Sequence, residues 1–163
     1  MSNLNWMYDE ATGRYIVKGA RILFPNFEGH EDAFNQNGKR NFRLQLSESL
    51  AEELKSRGAF VRERPPRNED EDPQYLVKIG VYKNSDIRVL SGKVMTALTP
   101  ETFVMVDREF QRGHVANGDI DLEFHVARNT RIASAPIFIS LDTAIIPVRK
   151  SRLLEDYEDY EED

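Results

Sequence analysis

The chain has 163 residues, 40% of them hydrophobic, no cysteine, and a formal net charge of −6. That length suits one domain with a real apolar core, and the lack of cysteine excludes disulfides and thiolate metal sites. No apolar run reaches membrane-spanning length, and MSNLNWMYDE has neither the basic nor the apolar region of a signal peptide, so a soluble cytoplasmic protein is expected.

The opening reads as a β-hairpin. Trp6, Met7 and Tyr8 lead into the polar turn DEATG, and the run RYIVKGARILF follows. That run places Ile16, Lys18, Ala20, Ile22 and Phe24 on one face and Tyr15, Val17, Gly19, Arg21 and Leu23 on the other. The mixture predicts a long, curved strand with Gly19 as bend or bulge. PNFEGHEDAFNQNGKR is a loop rich in Asn and Gly. NFRLQL alternates cleanly, with Phe42, Leu44 and Leu46 inward. SESLAEELKSRG is the one convincing helix: Ser47 or Ser49 caps it, Leu50, Ala51 and Leu54 form its stripe, and Gly58 ends it. Phe60 and Val61 are candidates for a brief pairing.

The stretch PPRNEDEDP is an exposed loop. QYLVKIGVY is a strand with Tyr75, Val77, Ile79 and Val81 on one face and Lys78 and Tyr82 on the other. Further strands are expected in IRVL, KVMTAL, DIDLEFHVA and PIFISLDTAIIPV, and Thr99–Pro100–Glu101 reads as the start of a short helix. The fold class is mainly β: an OB-fold-like barrel over residues 1–150 with one inserted mid-chain helix and long loops, followed by a flexible acidic tail at 151–163.

Charge is unevenly spread. Residues 1–154 hold 21 acids and all 22 Lys and Arg, a net of +1, whereas the last nine residues, EDYEDYEED, contribute −7. Setting aside the acidic block Glu69–Asp72 leaves the body at +5. A basic body beside a negative tail that cannot fold alone points to a polyanion-binding surface; a plain solubilising tail is the alternative.

Catalytic motifs are sparse, with no nucleophile elbow, phosphate-binding Gly-rich loop or zinc spacing. Asp119, Asp121, Glu123 and His125 share one face of a strand, which suits either a nuclease-type divalent metal or, as the plainer reading, the wet face of a half-buried strand. Nucleic-acid binding has the better support. A single-strand binder needs cations for phosphates and aromatic rings for bases. Phe24, Phe27 and Phe34 lie near Lys39, Arg40 and Arg43, and a second group joins Tyr82 and Lys83 to Lys78, Arg88 and Lys93. Loop anchoring competes with stacking for Phe27 and Phe34, a wet sheet face competes for the second group, and turn solvation is the plainer role of Arg128 and Arg131. Phe42 belongs with the core.

The run ARILFPNFEG…FNQNGKRNFRLQL, the helix after it, the acidic loop before QYLVKIGVY and the acidic tail together resemble the phage-type single-stranded DNA-binding proteins, from Trp6 to Asp163. The resemblance implies an OB-fold that coats single strands in phage DNA replication and recombination, without enzymatic activity, cofactor, metal or membrane contact. It places this chain in the host cytoplasm and leaves self-association open, and the residues that match the family by position are Phe24, Phe27, Phe34, Arg40, Asn41 and Phe42 in the loop and strand. It also implies a tail that competes with DNA and contacts replication or recombination proteins, formed here by Glu155, Asp156, Tyr157, Glu158, Asp159, Tyr160, Glu161, Glu162 and Asp163. Bacterial tails of this kind end in an apolar tip, which this one lacks.

Overall fold

The computed structural model describes residues 5–31, 38–128 and 137–149. These form ten strands and two helices: β1 (Asn5–Asp9), β2 (Arg14–Ala20), β3 (Ile22–Asn26), β4 (Asn41–Leu46), α1 (Glu48–Ser56), β5 (Val61–Arg64), β6 (Gln74–Gly80), β7 (Asp86–Ser91), β8 (Val94–Ala97), α2 (Val104–Gln111), β9 (Ile120–Arg128) and β10 (Ile137–Val148).

The hairpin β1–β2 and the long strand after it form as expected, and Gly19 explains the mixed pattern. Tyr15 and Val17 are buried, then Ala20 and Ile22, so the inward phase slips by one residue between them. The register against β9 shifts at the same place, where Gly19 adopts φ 71° without the Cβ penalty of other residues. Only Arg21 separates β2 from β3, so the two are one bent strand. Its first half pairs with β9 and its second with β4. Past the bend, the Asn117 side chain stands in for a strand, accepting from the Ile22 N–H and donating to the Ile22 carbonyl, both at 2.8 Å.

The bent strand closes the sheet into a ring of β3, β4, β6, β10, β9 and back to β2. Every ring contact is antiparallel except β6–β10, which meet in parallel at the single pair Ser140↔Gly80. This is the strand order of an OB-fold, in which β4 and β6 are the second and third barrel strands. β1 and β5 extend the ring at its edges, and the β7–β8 hairpin joins the far half of β10 through a parallel ladder from Thr143↔Asp86 to Val148↔Ser91.

Phe42, Leu44 and Leu46 of β4 and Val77 and Ile79 of β6 enter the core with Tyr15, Phe124 and Leu141. Helix α1 starts where Ser47 Oγ accepts from the Leu50 N–H, and it buries Leu50, Ala51 and Leu54. Each of its two leucines contributes about 1.5–3 kcal/mol by leaving water. The short helix expected from Thr99–Pro100–Glu101 forms: a 3-10 turn, Pro100–Thr102, runs into α2. Phe60 precedes β5 and does not pair. Among the described residues, no helix is long and apolar enough to cross a membrane.

Candidate nucleic-acid interface

The period of β4 and β6 decides what faces outward. Directly opposite residues share a face in an antiparallel pair, so the outward residues Asn41 and Arg43 stand against Gly80 and Lys78. Above them lies a groove of about 600 Å³. Lys39, Arg40, Asn41 and Arg43 line it from β4 and its approach, Lys78 and Gly80 from β6, Tyr82 from beyond β6, Phe60 from the segment before β5, and Phe138 from β10.

Arg43 and Lys78 face each other across the ladder, an arrangement that opposes folding because like charges directly opposite repel. Among the described residues, neither has a carboxylate within ion-pair distance. Burial pushes the Arg43 guanidinium below its ordinary value, helped by nearby Arg62. Burial likewise lowers Lys78, helped by Arg43 and Lys39. The protein thus holds a cluster of cations that repel one another in the absence of an anion.

The aromatic wall is built as locally. Gly80 leaves room for the Tyr82 ring: a Cβ there would lie 2.8 Å from the Tyr82 hydroxyl oxygen. The Tyr82 N–H donates to Ser85 Oγ at 3.0 Å, and the buried Ser85 hydroxyl donates to the Leu141 carbonyl at 2.7 Å, tying the ring to β10. Tyr82 meets Phe138 edge to face, ring centres 6.2 Å apart. Both rings remain open to solvent, Tyr82 by 43% and Phe138 by 41%, and Phe60 is exposed by 82%. At the other end, the Arg40 guanidinium lies 5.6 Å from the Phe103 ring centre, a cation–π contact that holds the arginine at the mouth.

Of the residues singled out in the sequence, Lys39, Arg40, Arg43, Lys78 and Tyr82 come together in this groove. Lys83 lies beside it, since both it and Arg40 act on the Glu101 carboxylate, held below its ordinary value first by hydrogen bonds. Phe27 is a correction. Its ring is 0% exposed and stacks on Phe42 at 5.3 Å, so it cannot receive a base. The cause is Asp107 of α2, whose carboxylate accepts the backbone N–H groups of Phe27 and Glu28, both at 2.9 Å, and turns the chain inward. Arg88 and Lys93 stand apart from this groove, on β7 and in the β7–β8 turn, and Arg88 is engaged by Asp86 at 3.1 Å. Phe34, Arg131 and the tail Glu155–Asp163, with Tyr157 and Tyr160, lie outside the described residues.

Sequence reasoning missed Phe60 and Phe138. For Phe138 the signal was present: alternation with the buried Ile139 and Leu141 places it outward, where a phenylalanine is unusual. On the other side of the barrel, the acidic face of β9 is matched with bases. Glu123 pairs with Arg14 at 2.7 Å, Asp121 with Lys18 at 3.9 Å and Asp119 with Arg149 at 3.2 Å, while His125 Nδ1 lies 2.9 Å from Asp142. This is the wet face of a half-buried strand, its acids engaged by cations.

A closed OB barrel with a cationic, aromatic groove on its second and third strands defines the oligonucleotide-binding class of this fold. The comparisons with known proteins narrow it. The phage ssDNA-binding domain family matches residues 9–104, and the chain belongs to that family. The match spans the bent strand, β4, α1 and β6, and ends before β9. Among solved structures, the C-terminally truncated single-stranded DNA-binding protein of bacteriophage Enc34 is similar at 9% identity and TM-score 0.53, over 91% of this chain and 97% of that one. The same bacteriophage protein in complex with ssDNA gives 8% identity and TM-score 0.52, over 93% and 98%. Its further structure gives 8% identity and TM-score 0.51, over 98% and 100%. At such identity the likeness is one of fold. No match was found among curated protein sequences.

Proposed function

We propose that this chain binds single-stranded DNA with little sequence preference and catalyses no reaction, in phage DNA replication or recombination. The observation that carries the reading is the Arg43–Lys78 pair, opposed across the ladder beneath an open aromatic wall. Phosphates relieve the repulsion of the cations, and bases stack on Tyr82, Phe60 and Phe138, which read π-faces rather than base edges. Family membership and the ssDNA complex of the Enc34 protein support the ligand class.

In this reading residues 1–150 are the binding domain, and the tail from 151 competes for the groove and contacts replication or recombination proteins. The seven acids of 155–163 imitate phosphates, and Tyr157 and Tyr160 imitate bases. A short tether supplies a local concentration of about millimolar, enough to screen weak ligands and still yield to a long strand.

The test is binding of matched single-stranded and duplex oligonucleotides across a salt series. Preference for the single strand is expected, with log affinity falling by about 0.7 per neutralised phosphate for each unit of log salt. Equal affinity for both forms, or a flat salt response, refutes the proposal. Deleting 155–163 moves the net charge from −6 to +1 and is expected to tighten binding and weaken discrimination against duplex. Replacing only Tyr157 and Tyr160 with Ser separates base mimicry from charge: recovery of part of the gain assigns a role to the rings.

A further inference from the structure

Phe24 is unlike the other aromatics of this fold. It is the one non-glycine among the described residues with positive φ, at 52°. Its ring is 64% exposed, more open than Tyr82 or Phe138. Left-handed backbone is disfavoured for any residue with a Cβ, and the following Pro25 narrows the choice further. A strained backbone and a solvated apolar ring both raise the free energy of the folded chain. Asn or Gly in this place would avoid both costs.

The position of the strain is informative. Phe24 and Pro25 form a bulge in β3, between the pairs Leu23↔Arg43 and Asn26↔Asn41. Arg43 and Asn41 are groove residues, so the bulge lies one strand away, about 4.8 Å in the hydrogen-bonding direction, from the residues that carry the phosphate site. A bulge re-aims a side chain, and Pro25 fixes the backbone on its far side, so the ring is pre-set rather than mobile.

We propose that Phe24 is a base-stacking platform on the β3 side of the groove, opposite the Tyr82–Phe138 wall, so that a single strand crossing the Arg43–Lys78 pair has a ring on either side. This rests on the binding function proposed above and extends the footprint by one strand. A nucleobase covering the ring offsets the cost of holding it exposed, which folding alone does not.

The experiment measures ssDNA affinity, by anisotropy of a labelled oligothymidine, beside thermal melting for the full chain and for Phe24→Gly, Phe24→Leu and Phe24→Trp. Glycine removes ring and strain together, so F24G is expected to melt about 2–4 °C higher while binding about 5- to 150-fold more weakly. F24L keeps apolar bulk without a π-face and is expected to bind like F24G, whereas F24W is expected to bind at least as tightly as the unaltered chain. A fall in the F24G melting temperature makes the ring a structural element and overturns the inference. So does F24G affinity equal to that of the unaltered chain. If the unaltered chain itself fails to retain the oligonucleotide, the proposed function falls and this inference with it.

Discussion

Neutralising Arg43 and Lys78 tests the core of the mechanism, because the two are expected to oppose folding and support binding. Arg43→Gln, Lys78→Gln and the double variant form the set. Cross-strand partners have Cβ atoms about 5 Å apart, and long side chains that diverge leave their charges about 7 Å apart. At that distance two unit charges repel by about 0.6 kcal/mol in water and about 2.4 kcal/mol at an effective dielectric of 20. The Lys78 side chain is only partly desolvated and still open to solvent, which screens its charge, so the low end applies, and each single variant is expected to melt at or slightly above the original temperature. Binding goes the other way. Losing one charge-assisted phosphate contact costs about 1–2 kcal/mol, or about 5- to 30-fold in Kd. The slope of log affinity against log salt should fall by about 0.7 in each single variant and about 1.4 in the double. Anisotropy titrations over a salt series measure the slope, and calorimetry measures stability. Unchanged slopes in both singles refute the phosphate role, and a drop in melting temperature beyond about 5 °C means the side chains hold the sheet instead.

Phe27→Ala is expected to cost about 3–5 kcal/mol of stability, read in a denaturant melt, whereas Tyr82→Ala should leave stability nearly intact and weaken ssDNA binding by about 1–3 kcal/mol. Asp107→Ala removes the acceptor of two backbone N–H groups and is expected to destabilise by about 1–3 kcal/mol, a fall of about 2–12 °C by thermal melting. Affinity is also expected to depend on alkaline pH. The free protein holds the Lys78 pKa below 10.5, while a bound phosphate favours the charged form, so the complex retains a proton that the free protein releases. Affinity should therefore fall as pH rises through the lowered Lys78 value, and Lys78→Arg should flatten that part of the profile.

Legibility of the sequence followed the range of the interactions involved. Alternation in NFRLQL and QYLVKIGVY sets the faces of β4 and β6, and with them the outward Arg43, Lys78 and Tyr82, because period 2 is a local property. The curve at Gly19 was equally local. Phe27 was not legible, because its neighbours Asn26, Glu28 and Gly29 are those of a loop while the carboxylate that turns it inward lies 80 residues away. The separation of Arg88 and Lys93 from the groove was hidden for the same reason: nearness in sequence to Tyr82 suggested one cluster, but β7 is carried off along the far half of β10. Leu76 lies out of phase with the inward face of β6 and is buried all the same; its ladder partners are Gln45 of β4 and Arg62 of β5.

Net charge was the least informative quantity, and the pairing of charges explains why. The acids of the barrel are concentrated where they meet cations. Arg14 is held by Glu123 and Asp142, Arg57 by Glu53, and Arg149 by Asp119. Glu53 is drawn below its ordinary value first by the Tyr15 hydroxyl and then by Arg57, and thus serves the aromatic cluster at the Tyr15 end of the barrel. These pairs cancel on the β2–β9–β10 side and around α1. Arg43, Lys78 and Arg62, which have no ion pair with a carboxylate among the described residues, meet on the β4–β6–β5 face. A body with a net of +1 over residues 1–154 can thus present a positive patch on the β4–β6–β5 face. In the proposed function this makes the acidic tail a competitor for the groove in particular, and makes DNA affinity sensitive to tail deletion without any change in the barrel.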